Sequence, residues 1–329
     1  MAQIPTIADI EVARKRIAGE AVRTPLLFAP SLSERLSARV YLKPESLQRT
    51  GSFKFRGAYN ALSALDSAER AKGVVAVSSG NHAQGVAEAA RLFGVSATIV
   101  MPADAPVPKR RRTERSGARV VAYDRATEDR DAVVARVVAE AGGVFIHPYN
   151  DPLVIAGQGT VGLEIADDFS SLGLAPDIVV VPASGGGLVA GVALAVTTRF
   201  ASAAIYAAEP QGFDDYARSL RSGKRERNPK PAGSICDALL APEPGEIGWE
   251  MNRTRLAGGV AASDAEALHA VGYAFDELRL VVEPGGAVGL AALLSGRLDV
   301  KGKTVAIVLS GGNVGDDMLA AGLAAYRSG

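Results

Sequence analysis

The sequence has almost no cysteine and no net charge, and these two absences exclude several classes of protein. Cys236 is the single cysteine among 329 residues, so neither an intrachain disulfide nor a cysteine-based zinc site can form. Lys and Arg together number 36, as do Asp and Glu. Because no global charge attracts polyanions, we expect no nucleic-acid partner.

Long apolar runs are also lacking. No stretch reaches the length of a transmembrane helix, and the first residues lack the uninterrupted apolar segment of a signal peptide. The expectation is a cytoplasmic protein with no membrane partner. The basic run Lys109–Arg112 is interpreted as a solvated helix face, which is the usual role of such a run.

Short apolar runs alternate with helix-like segments through most of the chain. Val74–Val77, Asp177–Val181 and Val305–Leu309 are apolar enough to be strands buried on both faces. This alternation predicts an α/β fold with parallel strands covered by helices. Thr127 is predicted to be the N-cap of a helix that contains Arg130.

Three of the predicted strands end in small polar turns rich in glycine. The turns are Ser78–Asn81, Ser184–Gly187 and Ser310–Asn313. Ligands of parallel sheets bind beyond the carboxyl ends of the strands, so the three turns are expected to line one crevice. Successive glycines before a helix let backbone amides converge on a phosphate, and the second turn has this pattern.

The second turn also permits a different class of enzyme. Gly185, Gly187 and Ala190 fit a dinucleotide-binding fingerprint, and Glu209 follows at the end of a strand. An NAD-dependent Rossmann dehydrogenase is therefore an alternative. The residues Pro182–Ser184, which separate the strand from the glycines, argue against it.

Lys54 is a candidate for chemistry with an aldehyde. It lies between Phe53 and Phe55 and is followed by Arg56. Burial and a neighbouring cation both lower the pKa of a lysine, and such an amine can form an imine. Composition alone favours the other interpretation, an exposed lysine at the start of a helix.

Seven segments together resemble the fold-type II pyridoxal-phosphate enzymes, in the branch of serine/threonine dehydratases, serine racemases and 3-hydroxyaspartate dehydratases. They occur in family order over nearly the whole chain: Arg23–Leu26, Gly51–Ala58, Ser78–His82, Ala156–Thr160, Ser184–Gly187, Ala208–Pro210 and Leu309–Asn313. The resemblance implies a tryptophan synthase beta-like α/β fold with two domains, each a mainly parallel sheet flanked by helices. It places residues 1–64 and 150–329 in a large cofactor-binding domain and residues 65–149 in a small domain.

The resemblance also implies which residues bind pyridoxal 5′-phosphate. Lys54 would hold the cofactor covalently and move the α-proton of the substrate, while Phe53 packs beside the pyridine ring. Asn81 would bond the ring hydroxyl, and Ser310 would meet the pyridine nitrogen. The phosphate would be held by the backbone amides of Gly185, Gly186, Gly187 and Leu188.

A second set of implied residues would bind the substrate, a small amino acid. Its carboxylate would be received by the loop that contains Ser78, Ser79, Asn81 and His82. Ser79 also matches the second acid/base of the racemases. Arg130 matches an arginine near the active site of this branch, and a guanidinium there could clamp a second carboxylate. A surface position for Arg130 is an equal alternative.

The resemblance further implies a site for a divalent cation. Glu209 and Asp215 would bind by their side chains and Phe213 by its carbonyl, and hard oxygen ligands of this kind suit Mg²⁺, or Ca²⁺ or Mn²⁺. The alternative is a solvated acidic turn.

The implied activity is dehydration of L-threonine or L-serine to a 2-oxo acid and ammonia. Ser310 supports it, because a hydroxyl need not protonate the pyridine nitrogen, and a weaker electron sink favours loss of a β-substituent. The alternatives are 3-hydroxyaspartate dehydration, serine racemisation and amino-acid binding without catalysis. Tyr149 stands where the eukaryotic racemases have Asn, which favours a dehydratase. The relatives imply a homodimer, and we expect no regulatory domain like that of the biosynthetic threonine dehydratases.

Overall fold

The strands are seen in a computed structural model that describes residues 3–105, 107–124 and 126–328. In chain order they are β1 (Leu27–Phe28), β2 (Arg39–Pro44), β3 (Val74–Val77), β4 (Ala97–Pro102), β5 (Arg119–Tyr123), β6 (Val144–Phe145), β7 (Ile178–Pro182), β8 (Ala204–Pro210), β9 (Leu256–Ala262) and β10 (Thr304–Leu309).

Helices fill most of the chain between these strands. They are α1 (Ile7–Ile17), α2 (Pro30–Leu36), α3 (Lys54–Ala64), α4 (Ser67–Lys72), α5 (Asn81–Phe93), α6 (Val107–Arg115), α7 (Arg130–Ala141), α8 (Pro152–Ser171), α9 (Gly187–Arg199), α10 (Asp215–Ser222), α11 (Glu246–Asn252), α12 (Asp264–Asp276), α13 (Pro284–Leu294) and α14 (Asp316–Arg327). Within the three described ranges, every helix is too short or too polar to cross a bilayer.

The larger sheet has six strands in the order β1-β2-β10-β7-β8-β9. All neighbours are parallel except β1, which pairs with β2 in the antiparallel sense. The inner strands β7 and β10 are buried along almost their whole length, as their apolar sequences predict. The sheet therefore carries two of the three glycine turns at its carboxyl edge.

The smaller sheet has four parallel strands in the order β5-β4-β3-β6. Two mainly parallel sheets flanked by helices confirm the predicted fold class. The four strands lie inside the segment 65–149, but the core beneath them also contains Phe55 of α3 and Val154 of α8. The exact domain limits, 65 and 149, therefore stay a prediction.

The start of α7 differs from the prediction. Asp129, in extended backbone, is the N-cap, and its side chain accepts a hydrogen bond from the amide of Ala132. Thr127 instead lies in a turn, where its backbone amide donates a hydrogen bond to the carbonyl of Asp124. The prediction of Thr127 as the cap was wrong, since aspartate caps helices at least as well as threonine. Arg130 is consequently the first residue of the helix.

Four charged side chains, Lys43, Glu45, Arg56 and Glu164, are buried together between β2, α3 and α8. Arg56 donates to Glu45 through Nε and Nη2, both at 2.8 Å, and to Glu164 through Nη1 at 2.6 Å. Lys43 Nζ donates to Glu164 at 2.6 Å. Two positive and two negative charges therefore balance, and each ion has close partners in place of water.

We predict that Arg56→Met strongly destabilises the fold. The substitution leaves Glu45 and Glu164 buried with one cation between them, and breaking a buried pair in this way costs about 3–5 kcal/mol. Urea unfolding followed by circular dichroism measures the loss. The matched control is Arg253→Met, which breaks a surface pair with Glu250 and should change stability far less. Equal losses in the two variants would show that the buried cluster is no more important than a surface ion pair.

Candidate active site

One cavity is lined by residues of all three glycine turns. It lies where the carboxyl end of β3, in the smaller sheet, faces the carboxyl ends of β7 and β10 in the larger sheet. The predicted cofactor and substrate residues that line it are Phe53, Lys54, Ser78, Ser79, Asn81, His82, Arg130, Gly185, Gly186, Gly187, Leu188 and Ser310. The structure thus brings together residues that are far apart in the chain.

Lys54 is the first residue of α3, and its half-buried side chain faces the cavity. Its Nζ donates to the carbonyl of Pro148 at 2.7 Å and lies 5.1 Å from the centre of the Phe53 ring. Burial lowers the pKa of Lys54 to about 8. Arg56 was expected to contribute, but its charge is balanced by carboxylates in the buried cluster. The amine is therefore partly unprotonated near neutral pH because it is buried.

The glycine turn before α9 has the form of an anion site. Gly186 has φ +89°, which suits glycine, and a Cβ there would lie 1.6 Å from the hydroxyl of Tyr216. The first amides of α9, from Gly187 onward, have no acceptor within the helix and lie at its positive end. A phosphate or carboxylate fits this place better than a neutral group.

Asn81, the first residue of α5, is held by two side chains. Its Nδ2 donates to Glu283, and its Oδ1 accepts from Asn313 Nδ2 at 2.8 Å. Burial raises the pKa of Glu283 to about 7, although the bond from Asn81 opposes the rise. The amide of Asn81 is thereby fixed at the cavity wall.

The remaining polar residues of the wall are serines and a histidine. Ser78 Oγ accepts from the amide of Gly80, Ser79 is half-buried, and Ser310 is buried at the end of β10. His82 Nε2 bonds the carbonyl of Ile146 at 2.9 Å, and burial lowers the pKa of His82 to about 3. His82 is therefore neutral at physiological pH.

Cations from the smaller domain lie at the mouth of the cavity. Arg130 has 46% of its side chain exposed, and its Nε bonds Asp131 at 2.8 Å. Lys109 forms an ion pair with Asp237, which also lines the cavity, and Arg112 donates to Asn313 at 3.1 Å. Arg110, Arg111 and Arg112 are exposed on α6, as predicted for a solvated helix face, but Lys109 and Arg112 also contact residues of the other domain.

Several cavity residues were not singled out as site residues from the sequence. They are Lys109, Tyr149, Gln158, Asp237, Glu283 and Asn313. Gln158 and Asn313 lie inside motifs that carried the resemblance, so those motifs were the available signal. Glu283 gives no local signal, since it meets Asn81 only through the fold.

The predicted metal ligands lie away from the cavity lining. Glu209 is the next-to-last residue of β8, and its two oxygens accept from the amides of Tyr216 and Ala217 at 2.7 and 2.9 Å. Asp215 begins α10, and burial raises its pKa to about 7. Its Oδ2 is buried without a hydrogen-bond partner among the residues that the structure describes. No group of three or more His, Cys, Asp or Glu side chains in the described ranges is arranged to hold a metal.

Comparison with known proteins places these features in one family. Residues 17–311 match the family described as "Pyridoxal-phosphate dependent enzyme". The chain is 42% identical over 315 residues to an L-threonine ammonia-lyase of Thermotoga maritima, covering 95% of this chain and 77% of that protein. It is also 42% identical to an L-threo-3-hydroxyaspartate ammonia-lyase of Pseudomonas sp., covering 95% and 96%. The structure of maize serine racemase has a TM-score of 0.91 at 37% identity, covering 99% of both chains.

We predict that Glu283→Gln makes stability less dependent on pH. The raised pKa means that the folded state binds a proton more tightly than the unfolded state. Wild-type stability should therefore fall as pH rises from about 4.5 to about 7, and the glutamine variant should lack this fall. Urea unfolding of both proteins at several pH values measures the difference, which should grow over this window and then level. A difference that is constant with pH would show that Glu283 titrates normally.

Proposed function

The chain belongs to the pyridoxal-phosphate dependent enzyme family, and on this basis we propose that it is an ammonia-lyase acting on a small β-hydroxy amino acid. The products would be a 2-oxo acid and ammonia, because the water lost from Cβ is taken up again when the released imine hydrolyses. The observation that carries the proposal is Lys54, an amine of lowered pKa in the same cavity as the glycine turn before α9. Relatives 42% identical that are named ammonia-lyases support an enzyme over a protein that only binds amino acids.

The residues of the cavity fit the cofactor that the family requires. The turn at Gly185–Gly187 offers amides for a phosphate, and Lys54 offers an amine for an aldehyde. Buried polar atoms of three lining residues have no hydrogen-bond partner within the described ranges: His82 Nδ1, Gln84 Nε2 and Gln158 Oε1. Such atoms are costly unless a ligand or water meets them, so the cavity is suited to a polar molecule.

Each residue of the site has a part in the proposed reaction. Bound pyridoxal phosphate supplies an electron sink for the bonds at the substrate Cα. Lys54 holds the cofactor and takes the α-proton on Nζ, Asn81 and Ser310 orient the ring, and Phe53 packs beside it. The loop Ser78–His82, at the start of α5, receives the substrate carboxylate at the positive end of that helix.

The choice among related activities rests on the groups at the mouth of the cavity. Arg130 supports a dicarboxylic substrate such as 3-hydroxyaspartate, because its guanidinium is at the mouth and, among the described residues, its ion-pair partner is the exposed Asp131. Ser79 supports some racemisation. The NAD-dependent alternative is not supported, since the chain belongs to the pyridoxal-phosphate dependent enzyme family. A cytoplasmic location and a homodimer complete the proposal.

The activity is tested by incubating the holoenzyme with L-serine, L-threonine and the 3-hydroxyaspartate isomers. We expect ammonia and 2-oxo acid in equal amounts, and none from Lys54→Ala, which loses the covalent anchor and the base together. If Arg130 binds a second carboxylate, Arg130→Ala should lower kcat/KM for hydroxyaspartate at least tenfold more than for serine. Equal losses on both substrates would leave Arg130 a structural residue, and cofactor mapped to another lysine would refute the site.

We also propose a divalent cation at Glu209, Asp215 and the carbonyl of Phe213. Its support is the pair of buried carboxylates with the unpartnered Asp215 Oδ2. Oxygen ligands and a compact site suit Mg²⁺, or Ca²⁺ or Mn²⁺, with water completing the shell. The ion would brace β8 against α10, outside the cavity, and would neutralise two charges that otherwise repel each other.

Removal of the ion should lower thermal stability and activity together. We expect EDTA treatment to reduce the melting temperature and the rate, and added Mg²⁺ to restore both. Asp215→Asn, which removes one ligand charge, should show no further response to EDTA. Wild-type protein shown to be metal-free by elemental analysis, yet unchanged in melting and rate, would refute the cation site.

A further inference from the structure

Elimination of water from a β-hydroxy amino acid needs an acid as well as a base. Hydroxide is a poor leaving group, so the bond between Cβ and oxygen breaks readily only if that oxygen receives a proton. The roles given above use Lys54 as the base and leave the acid unassigned. A suitable group must line the cavity and hold a proton near neutral pH.

Tyr149 is a half-buried residue of the cavity lining whose ring is closely confined. A Cβ on Gly185 would lie 2.2 Å from its Cδ2 atom, and a Cβ on Gly245 would lie 2.9 Å from the same atom. One edge of the ring is therefore enclosed by the backbone of the glycine turn and of the segment before α11. The phenol is held against the turn that would bind the cofactor phosphate.

The backbone of Tyr149 is fixed by its neighbours on both sides. His147 Nδ1 accepts from the amides of Tyr149 and Asn150, at 3.3 and 2.8 Å. The rings of His147 and Tyr149 meet edge to face with centres 4.7 Å apart. The carbonyl of Pro148, the preceding residue, accepts from Lys54 Nζ. Tyr149 therefore directly follows the residue whose carbonyl binds Lys54, the proposed base.

The hydroxyl of Tyr149 is free to act. It makes no hydrogen bond with any part of the chain that the structure describes, although its ring is enclosed. Burial raises its pKa, which keeps the proton in place at neutral pH. Arg130 is the charged side chain that opposes this rise most, so its cation would stabilise the phenolate left after the proton is given away.

Other groups in the cavity are less suited to this role. Glu283 has a pKa raised to about 7, but its carboxyl group is buried and is already bonded by Asn81. Burial lowers the pKa of His82 to about 3 and of His147 to about 4, so neither carries an extra proton near pH 7. Lys109 is held in an ion pair with Asp237. The hydroxyl of Ser79 is a far weaker acid than a phenol.

We propose that Tyr149 is a catalytic residue, the general acid that protonates the departing β-hydroxyl. The inference rests on the proposed ammonia-lyase function. The bond between Cβ and oxygen breaks with its electron pair going to oxygen, and the phenolic proton joins that oxygen to form water. The phenolate then regains a proton from Lys54, whose Nζ carries the proton taken from Cα. The two proton transfers balance, and no outside reagent is consumed.

The test compares two leaving groups in the holoenzyme of Tyr149→Phe. With L-serine, which loses hydroxide, we expect kcat to fall about 100-fold or more, the range for loss of a general acid. With β-chloro-L-alanine, whose chloride leaves without a proton, kcat should stay within about threefold of wild type, since the acid contribution applies only to the hydroxyl. The apparent Kd for pyridoxal phosphate and the melting temperature should not change.

Tyr206→Phe is the matched control, because it removes a phenolic hydroxyl from β8, outside the cavity lining, and should leave both rates unchanged. Equal losses of Tyr149→Phe on serine and β-chloroalanine would show that the phenol only positions the site and would overturn the proposal. An unchanged rate on serine would overturn it as well. Wild-type protein that turns over neither these compounds nor L-threonine nor the 3-hydroxyaspartate isomers would instead refute the ammonia-lyase function on which the proposal rests.

Discussion

The buried cluster of Lys43, Glu45, Arg56 and Glu164 is the constraint on which the rest of the site depends. Burying four charges is expensive, and the expense is offset only when every ion has close partners of opposite sign. Arg56 has them, in the first turn of α3, two residues after Lys54. Because Glu45 follows β2 and Glu164 lies on α8, the cluster fixes α3 against both sheet and helix. The position of the Lys54 amine is therefore set by charged side chains that do not line the cavity.

In the cavity, burial has the opposite effect, because it favours the uncharged form of the ionisable side chains. It lowers the pKa of Lys54, keeps His82 and His147 neutral, and raises the pKa of Glu283 toward neutrality. The parallel strands meanwhile direct two helix starts, those of α5 and α9, toward the same space. A cavity with few fixed charges and two positive helix ends suits a ligand that brings its own anions. Phosphate and carboxylate groups are of this kind.

The parts of the fold and site that follow from local sequence could be predicted. Apolar runs predicted the inner strands, and the glycine turns that follow these strands line one cavity, as expected. Features that depend on contacts between distant segments could not. The sequence does not predict the pairing of Glu283 with Asn81 or of Lys109 with Asp237, because the spacing of these residues along the chain follows no pattern. The error at Thr127 has a local origin, because Thr127 and Asp129 are both good caps and sequence alone does not choose between them. The roles of the individual site residues remain predictions.

The single cysteine has a practical consequence for measuring the distance between the two sheets in solution. Cys236 is buried, and burial raises the pKa of its thiol to about 12, so it holds little of the thiolate that reacts with alkylating reagents. A cysteine introduced on the exposed surface of α6 would then react with a labelling reagent while Cys236 does not. The same holds for a second cysteine introduced on the larger sheet. Spectroscopic labels at two such positions would report the distance between the sheets directly, with no need to remove a native thiol first.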